Sequence, residues 1–241
     1  MRLPFKFKLG ARMARALYPK LLKFGYRFVD LDAESTSLDS RVIEYSYVIS
    51  KIAKAPVGRI LDVGCSDGGN MAMVSLAWLG CEIHGIDLRE SKFKHPNFHF
   101  HHGDIRNTSF PDNYFDCVYA ISMLEHIGLA GRYGVTESDP EGDLKAVREI
   151  ARILRPGGSF LVTIPCGKGQ LIKPLQRVYD RSRLNKIFSG WKIKEEVYYL
   201  FQDGYWTIVP EEEVADKDFL KGERALALLE MTPSKQLAPL A

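Results

Sequence analysis

Leu61-Asp62-Val63-Gly64-Cys65-Ser66-Asp67-Gly68-Gly69-Asn70 is the stretch that decides how this chain folds. Ile60 and Leu61 belong to an apolar run, Asp62 sets an acid inside it, and Gly64, Cys65, Ser66, Gly68 and Gly69 form a small-residue turn. Glycine has no Cβ and enters the left-handed region freely, so such a turn lets the backbone approach a ligand. The phosphate-binding pattern G-x-G-x-x-G falls on Gly64, Ser66 and Gly69. Its second glycine exists so that main chain can touch a pyrophosphate, and here a serine stands in its place. A side chain at that point argues for a ligand without a pyrophosphate.

Working outward, strands are expected at 58–63, 81–86, 97–102, 115–121 and 159–164. A helix near 69–79 stops at Gly80, and one over 143–154 ends in Arg155-Pro156-Gly157-Gly158. Proline cannot continue that helix and the paired glycines permit a reversal. Upstream, 39–54 reads as a helix with the stripe Val42, Tyr45, Ile49 and Ile52, and Ser37 or Asp39 as N-cap. Downstream, 191–201 and 205–209 read as a hairpin and 222–230 as a last helix. Alternating strands and helices imply an α/β fold, a mostly parallel sheet with helices on both faces. The expected division is a basic arm or cap over 1–38, one domain over 39–230 and a flexible tail over 231–241.

Of the 241 residues, 46% are hydrophobic and 26% charged, as in an ordinary globular protein. No run of 18 apolar residues predicts a transmembrane helix, and no secretory signal is visible. The four cysteines are far apart and lack a CxxC pair, so they read as reduced cytoplasmic thiols. Residues 1–29 carry eight basic residues and no acid, while the remaining 25 basic residues face 30 acids. A +8 arm thus precedes a −5 body, which argues against nucleic acid as partner and allows the arm to meet an anionic membrane from the cytoplasmic side.

In an open parallel sheet, ligands bind beyond the C-terminal strand ends. Asp87 ends the second strand and Asp104 the third. A carboxylate at Asp87 can accept both hydroxyls of a ribose, which NAD and S-adenosylmethionine share. Asp104 can accept from an adenine amino group while Ile105 packs on the ring. A dinucleotide site does not ordinarily need this second acid.

With these residues in view, the chain resembles the class I S-adenosylmethionine-dependent methyltransferases over roughly 58–165. The resemblance is carried by Leu61-Asp62-Val63-Gly64-Cys65-Ser66-Asp67-Gly68, Gly85-Ile86-Asp87, Gly103-Asp104-Ile105, Phe115-Asp116-Cys117-Val118 with Leu124-Glu125-His126-Ile127, and Arg152-Ile153-Leu154-Arg155-Pro156-Gly157-Gly158, in order. It implies a Rossmann-like seven-stranded sheet with an antiparallel C-terminal hairpin, S-adenosylmethionine as cofactor, and methyl transfer as the reaction. The implied cofactor set is Asp62, Gly64, Cys65, Ser66, Gly68, Asp87, Leu88, Asp104, Ile105 and Ile121.

His126, a few residues beyond the fourth strand, is the candidate general base for a hydroxyl acceptor. Glu125 reads as a scaffold contact and Asp116 as structural. The connection 126–142 contains four glycines and is long for a spacer, which marks it as a candidate lid. Within it Arg132 and Tyr133 are candidate substrate contacts. The runs GLAGRYG and RVIEYSYV resemble glycan-biosynthesis methyltransferases, which points to a sugar or other polar small-molecule acceptor. His99, His101 and His102 lie on what is expected to be a solvated edge strand, and no metal is expected there.

Overall fold

A computed structural model describes residues 40–54, 58–66, 71–131 and 133–234. The basic arm, both proposed N-caps, Gly68 and Arg132 lie outside these. Among the described residues, ten strands form two sheets. They are β1 (Arg59–Val63), β2 (Glu82–Asp87), β3 (Phe98–His102), β4 (Phe115–Ile121), β5 (Leu154–Pro165), β6 (Gln170–Ile172), β7 (Gln176–Val178), β8 (Trp191–Gln202), β9 (Tyr205–Val209) and β10 (Arg224–Pro233). The main sheet has eight strands in the order β3-β2-β1-β4-β5-β10-β8-β9, and β6-β7 is a separate pair. β1 pairs in parallel with β2 and β4, and β4 with β5. The order reverses at β1, so the ends of β1 and β4 open the crevice where a ligand sits.

Among the described residues, four helices cover the sheet: α1 (Arg41–Ile52), α2 (Met71–Trp78), α3 (Gly142–Ile153) and α4 (Arg181–Ile187). Val48, Ile49 and Ile52 of α1 join Ala72, Met73 and Leu76 of α2 in a core with Ile60, Ile83 and Tyr119. On the opposite face Val147 and Ile150 of α3 and Leu184 and Ile187 of α4 pack on Leu61, Val118 and Phe160. The expected stripe on α1 is rotated: Val42 is 37% exposed and Val48 fully buried, because Glu44 also turns inward. Among the described residues no helix is long and apolar enough to cross a membrane.

The expected final helix is instead β10. It inserts antiparallel between β5 and β8, pairing Leu228 with Thr163 on one side and with Val197 on the other. Ala225 to Leu229 are all buried. A strand covered on both faces shows a continuous apolar run without alternation, which periodicity cannot tell from a helix. β10 is the eighth strand of a sheet expected to have seven, and it carries order through Pro233 into the segment expected to be a tail. The hairpin β8–β9 lies where the sequence put it.

Candidate active site

The turn after β1 is built for close approach. Gly64 has φ +85°, and a Cβ there would lie 2.8 Å from Met123 Cγ and Sδ. Its N–H donates to the Ile86 carbonyl at 2.8 Å, tying the turn to the end of β2. Cys65 points down into the core, where burial pushes its thiol well above the usual range and leaves it inert. Ser66 donates its N–H to Asp87 Oδ2 at 3.0 Å and its hydroxyl to the Arg89 carbonyl at 2.7 Å. The serine therefore laces the β1 turn to the β2 turn, and both of its donors are spent inside the protein rather than on a ligand tail.

Asp62 is buried within β1, and its charge adds to burial in pushing the phenol of Tyr119 well above the usual range. Asp87 is buried at the end of β2. Beyond Ser66 it accepts from the Arg89 main chain at 2.9 Å and from the Arg89 guanidinium at 3.2 Å on each oxygen. Asp104 is held by Arg106 in the same way, with contacts of 2.7 to 3.1 Å. Burial opposes its ionisation, but the Arg106 hydrogen bonds prevail and keep its carboxyl below the usual range. Both acids line one cleft, which encloses about 520 Å³ of space open to solvent. Val63, Leu88, Ile105 and Met123 form apolar walls, and His126 and Tyr133 stand at its far side. Of the expected cofactor residues, Asp62, Gly64, Cys65 and Ser66 do not line it, and neither does Ile121. Its side chain packs into the opposite core with α1 and α2, because β4 side chains alternate between faces.

His126 closes a short 3₁₀ turn, Leu124–His126, beyond β4. Its Nδ1 lies 2.6 Å from the Leu175 carbonyl. A carbonyl only accepts, so Nδ1 carries the proton and Nε2 is the basic nitrogen of the neutral ring. Leu175 lies in the turn of the β6–β7 hairpin. Arg177 of that hairpin is buried and donates to the Ile127 carbonyl at 2.5 Å and the Asp139 carbonyl at 3.2 Å. The 126–142 connection is thus closed on itself: Asp139 N–H reaches the Gly128 carbonyl at 2.8 Å. Gly128, at φ +76°, has no room for a Cβ against Asp139. Tyr133 projects from this loop, its ring 4.3 Å from the Arg89 guanidinium carbon and edge-on to His126 at 5.5 Å.

Beneath the turn lies a carboxylate that sequence reasoning missed. Glu44 of α1 is fully buried. Its Oε1 accepts from the Ser122 hydroxyl and from Thr163 Oγ1, the latter at 2.7 Å. Ser122 sits at φ +42°, an uncommon angle for a residue with a side chain. Glu125 is buried close by, with Oε1 3.9 Å from His126 Nε2 and Oε2 without a hydrogen-bond partner among the described residues. Burial, reinforced by the Glu44 charge, pushes its carboxyl up to about 8. Asp116 is structural: it accepts from the Arg59 N–H at 2.6 Å and pairs with Arg155.

The edge strand β3 is less solvated than expected. His101 turns inward, its Nε2 2.9 Å from His84 Nδ1, and the His84 ring also lies 5.1 Å from that of His99. Among the described residues no group of three ligand-type side chains is placed to hold a metal ion.

Residues 61–162 match the family described as a methyltransferase domain. The chain is 31% identical over 126 residues to a sterol 24-C-methyltransferase of Schizosaccharomyces pombe, covering 47% of this chain and 29% of that protein. It is 29% identical over 138 residues to a fatty-acid O-methyltransferase of Mycolicibacterium smegmatis, covering 54% and 46%. It is 31% identical over 157 residues to a ubiquinone biosynthesis O-methyltransferase of Xanthomonas campestris, covering 60% and 59%. The chain thus spans between 29% and 59% of the length of these curated relatives. Among solved structures, the 1,6-didemethyltoxoflavin-N1-methyltransferase of Burkholderia thailandensis, bound to S-adenosylhomocysteine, superposes with a TM-score of 0.54 at 13% identity, covering 95% of this chain and 93% of that one. The [4+2]-cyclase SpnF superposes with a TM-score of 0.57 at 18% identity, covering 93% and 95%. Likeness at such identities carries the fold alone.

Proposed function

We infer, from residues 61–162 that match a methyltransferase-domain family, that the chain is a class I S-adenosylmethionine-dependent methyltransferase and transfers the methyl group of S-adenosylmethionine to a hydroxyl of a small molecule. The observation that carries this reading is one cleft lined by Asp87, Asp104 and His126, with the His126 tautomer set by the Leu175 carbonyl. The residues fit the cofactor. Asp87 suits a ribose diol, Asp104 an adenine amino group, and Leu88 and Ile105 the ring faces. When bound, the cofactor supplies an electrophilic methyl on a sulfonium.

The protein's own contribution is alignment of acceptor and donor, on the order of 7–11 kcal/mol. His126 Nε2 takes the hydroxyl proton, a step that adds ~10²–10⁴-fold. Tyr133 meets the acceptor from the loop. The relatives named for sterol, fatty-acid and ubiquinone-biosynthesis substrates favour an apolar acceptor over the sugar hydroxyl suggested by two short sequence runs. We place the reaction in the cytoplasm, with residues 1–29 touching an anionic membrane from which an apolar acceptor is drawn.

The test uses methyl-labelled donor with cell extract separated into lipid, polysaccharide, nucleic-acid, protein and small-molecule fractions. Label entering the lipid or small-molecule fraction supports the reading, and label confined to nucleic acid or protein overturns it. His126→Ala should lower kcat by ~10²–10⁴-fold and leave affinity for S-adenosylhomocysteine unchanged. An unaltered kcat removes His126 as base. Sedimentation with anionic vesicles at rising salt, with and without residues 1–29, tests the membrane contact.

A further inference from the structure

Two successive strand ends carry the same short pattern: Asp87-Leu88-Arg89 after β2 and Asp104-Ile105-Arg106 after β3. In each, the arginine folds back on the acid two residues before it. Resting on the cofactor reading above, we propose that Arg89 and Arg106 are positioning residues that occupy the two cofactor acids, and that the adenosine half of the cofactor displaces both guanidinium groups and thereby sets the 126–142 loop before an acceptor enters.

The stoichiometry at Asp87 motivates this. An ionised carboxylate accepts about four hydrogen bonds. Asp87 already receives four: the Ser66 and Arg89 main-chain N–H groups and two guanidinium N–H groups. The main-chain donors are fixed by the turn. The guanidinium donors are not, and their departure opens two acceptor positions, the number a ribose diol requires. At Asp104 the Arg106 guanidinium engages both oxygens in the same way, and its departure opens a position for one amino group.

Both arginines also hold the loop. Arg89 lies over Tyr133, whose ring stands edge-on to His126. Arg106 Nη1 pairs with Asp139 at 3.0 Å, at the other end of the loop. Lys145 pairs with the same Asp139 oxygen at 2.9 Å, so that carboxylate keeps a cation when Arg106 departs. The arginine side chains are 34% and 26% exposed, which gives them a path to water. Partly exposed pairs of this kind are weak enough to be exchanged, each worth about a threefold to fivefold change in an equilibrium.

The experiment measures S-adenosylhomocysteine binding to the full chain by calorimetry and hydrogen exchange of residues 126–142 with and without that ligand. Arg89→Ala and Arg106→Ala should each bind about threefold to fivefold more tightly than the unaltered chain, and Arg89→Met and Arg106→Met, which keep the aliphatic stem, should do the same. The unaltered chain should change its loop exchange on binding. Arg106→Ala should show part of the altered exchange without ligand, and the double variant Arg89→Ala with Arg106→Ala should show all of it and no further response. Unchanged or weaker binding in the variants makes the arginines bystanders or cofactor ligands and overturns this proposal alone. No binding by the unaltered chain overturns the cofactor reading and this proposal with it.

Discussion

Replacing Glu44 by alanine should lower stability by about 3 kcal/mol. The carboxylate is wholly buried; its Oε1 accepts from the hydroxyls of Ser122 and Thr163, and its Oε2 from that of Ser40 only at 3.4 Å. Hydrogen bonds to a charged acceptor contribute about 1.5–3 kcal/mol each. Relief of the desolvation cost of a buried charge offsets part of that sum. The Arg41 pairing at 3.1 Å adds little, because Arg41 is 35% exposed. In a chain of this size the loss corresponds to a fall in Tm of about 6–12 °C, at about 2–4 °C per kcal/mol. Glu44→Gln keeps an acceptor oxygen in place and should lose only about 1 kcal/mol. Urea unfolding with a constant slope measures both, and a cycle with Thr163→Val isolates the shared bond. If alanine costs under 1 kcal/mol, or glutamine as much as alanine, the carboxylate does not hold the ends of β4 and β5 together.

Burial pushes Glu125 up to about 8, so its folded form retains a proton that the unfolded chain releases near 4.5. Stability should therefore fall as pH rises from about 4.5 to about 8, and Glu125→Gln should flatten that slope in denaturation at pH 5 and 8.5. His84 runs the other way: burial, then the charges of His101 and His99, hold it below 6.5, while Glu82 opposes them. Its contribution is present above 6.5 and lost as pH falls through the lowered value, so His84→Phe should resist acid better below pH 6. Arg177→Leu should free the loop it bolts through the Ile127 and Asp139 carbonyls. Chymotrypsin should then cut after Tyr133 several times faster, and an unchanged rate would mean the loop is held by its own backbone bonds.

The parallel half of the sheet was legible because each strand is a short apolar run between turn signals, and its ends lie where the acids Asp87 and Asp104 follow. β6, β7 and α4 were not read. Strands of three residues show no period, although Asp180, which accepts the Arg183 N–H at 2.7 Å, is a visible N-cap. Ser66 was rightly taken as the wrong residue for a pyrophosphate, yet its role as a lace between two turns depends on Arg89, 23 positions away. The partners of Glu44 Oε1 stand 78 and 119 positions off, and the local ones on Oε2, Ser40 and Arg41, are those any surface acid on α1 could have. The arginines behind Asp87 and Asp104 were in plain view as a repeated pattern; what the sequence lacked was their direction.

The placement of β10 has a consequence for how the chain is made. During synthesis β5 and the β8–β9 hairpin emerge first, yet each presents an open edge until residues 224–233 slide between them. Lys51 and Glu230, which pair at 2.8 Å, wait 179 positions for each other. Until then the nascent sheet exposes apolar strand edges that attract other chains. Partners of such sequence separation also close slowly. The sheet is therefore most open to pairing with sister chains in the interval between the emergence of β5 and that of β10.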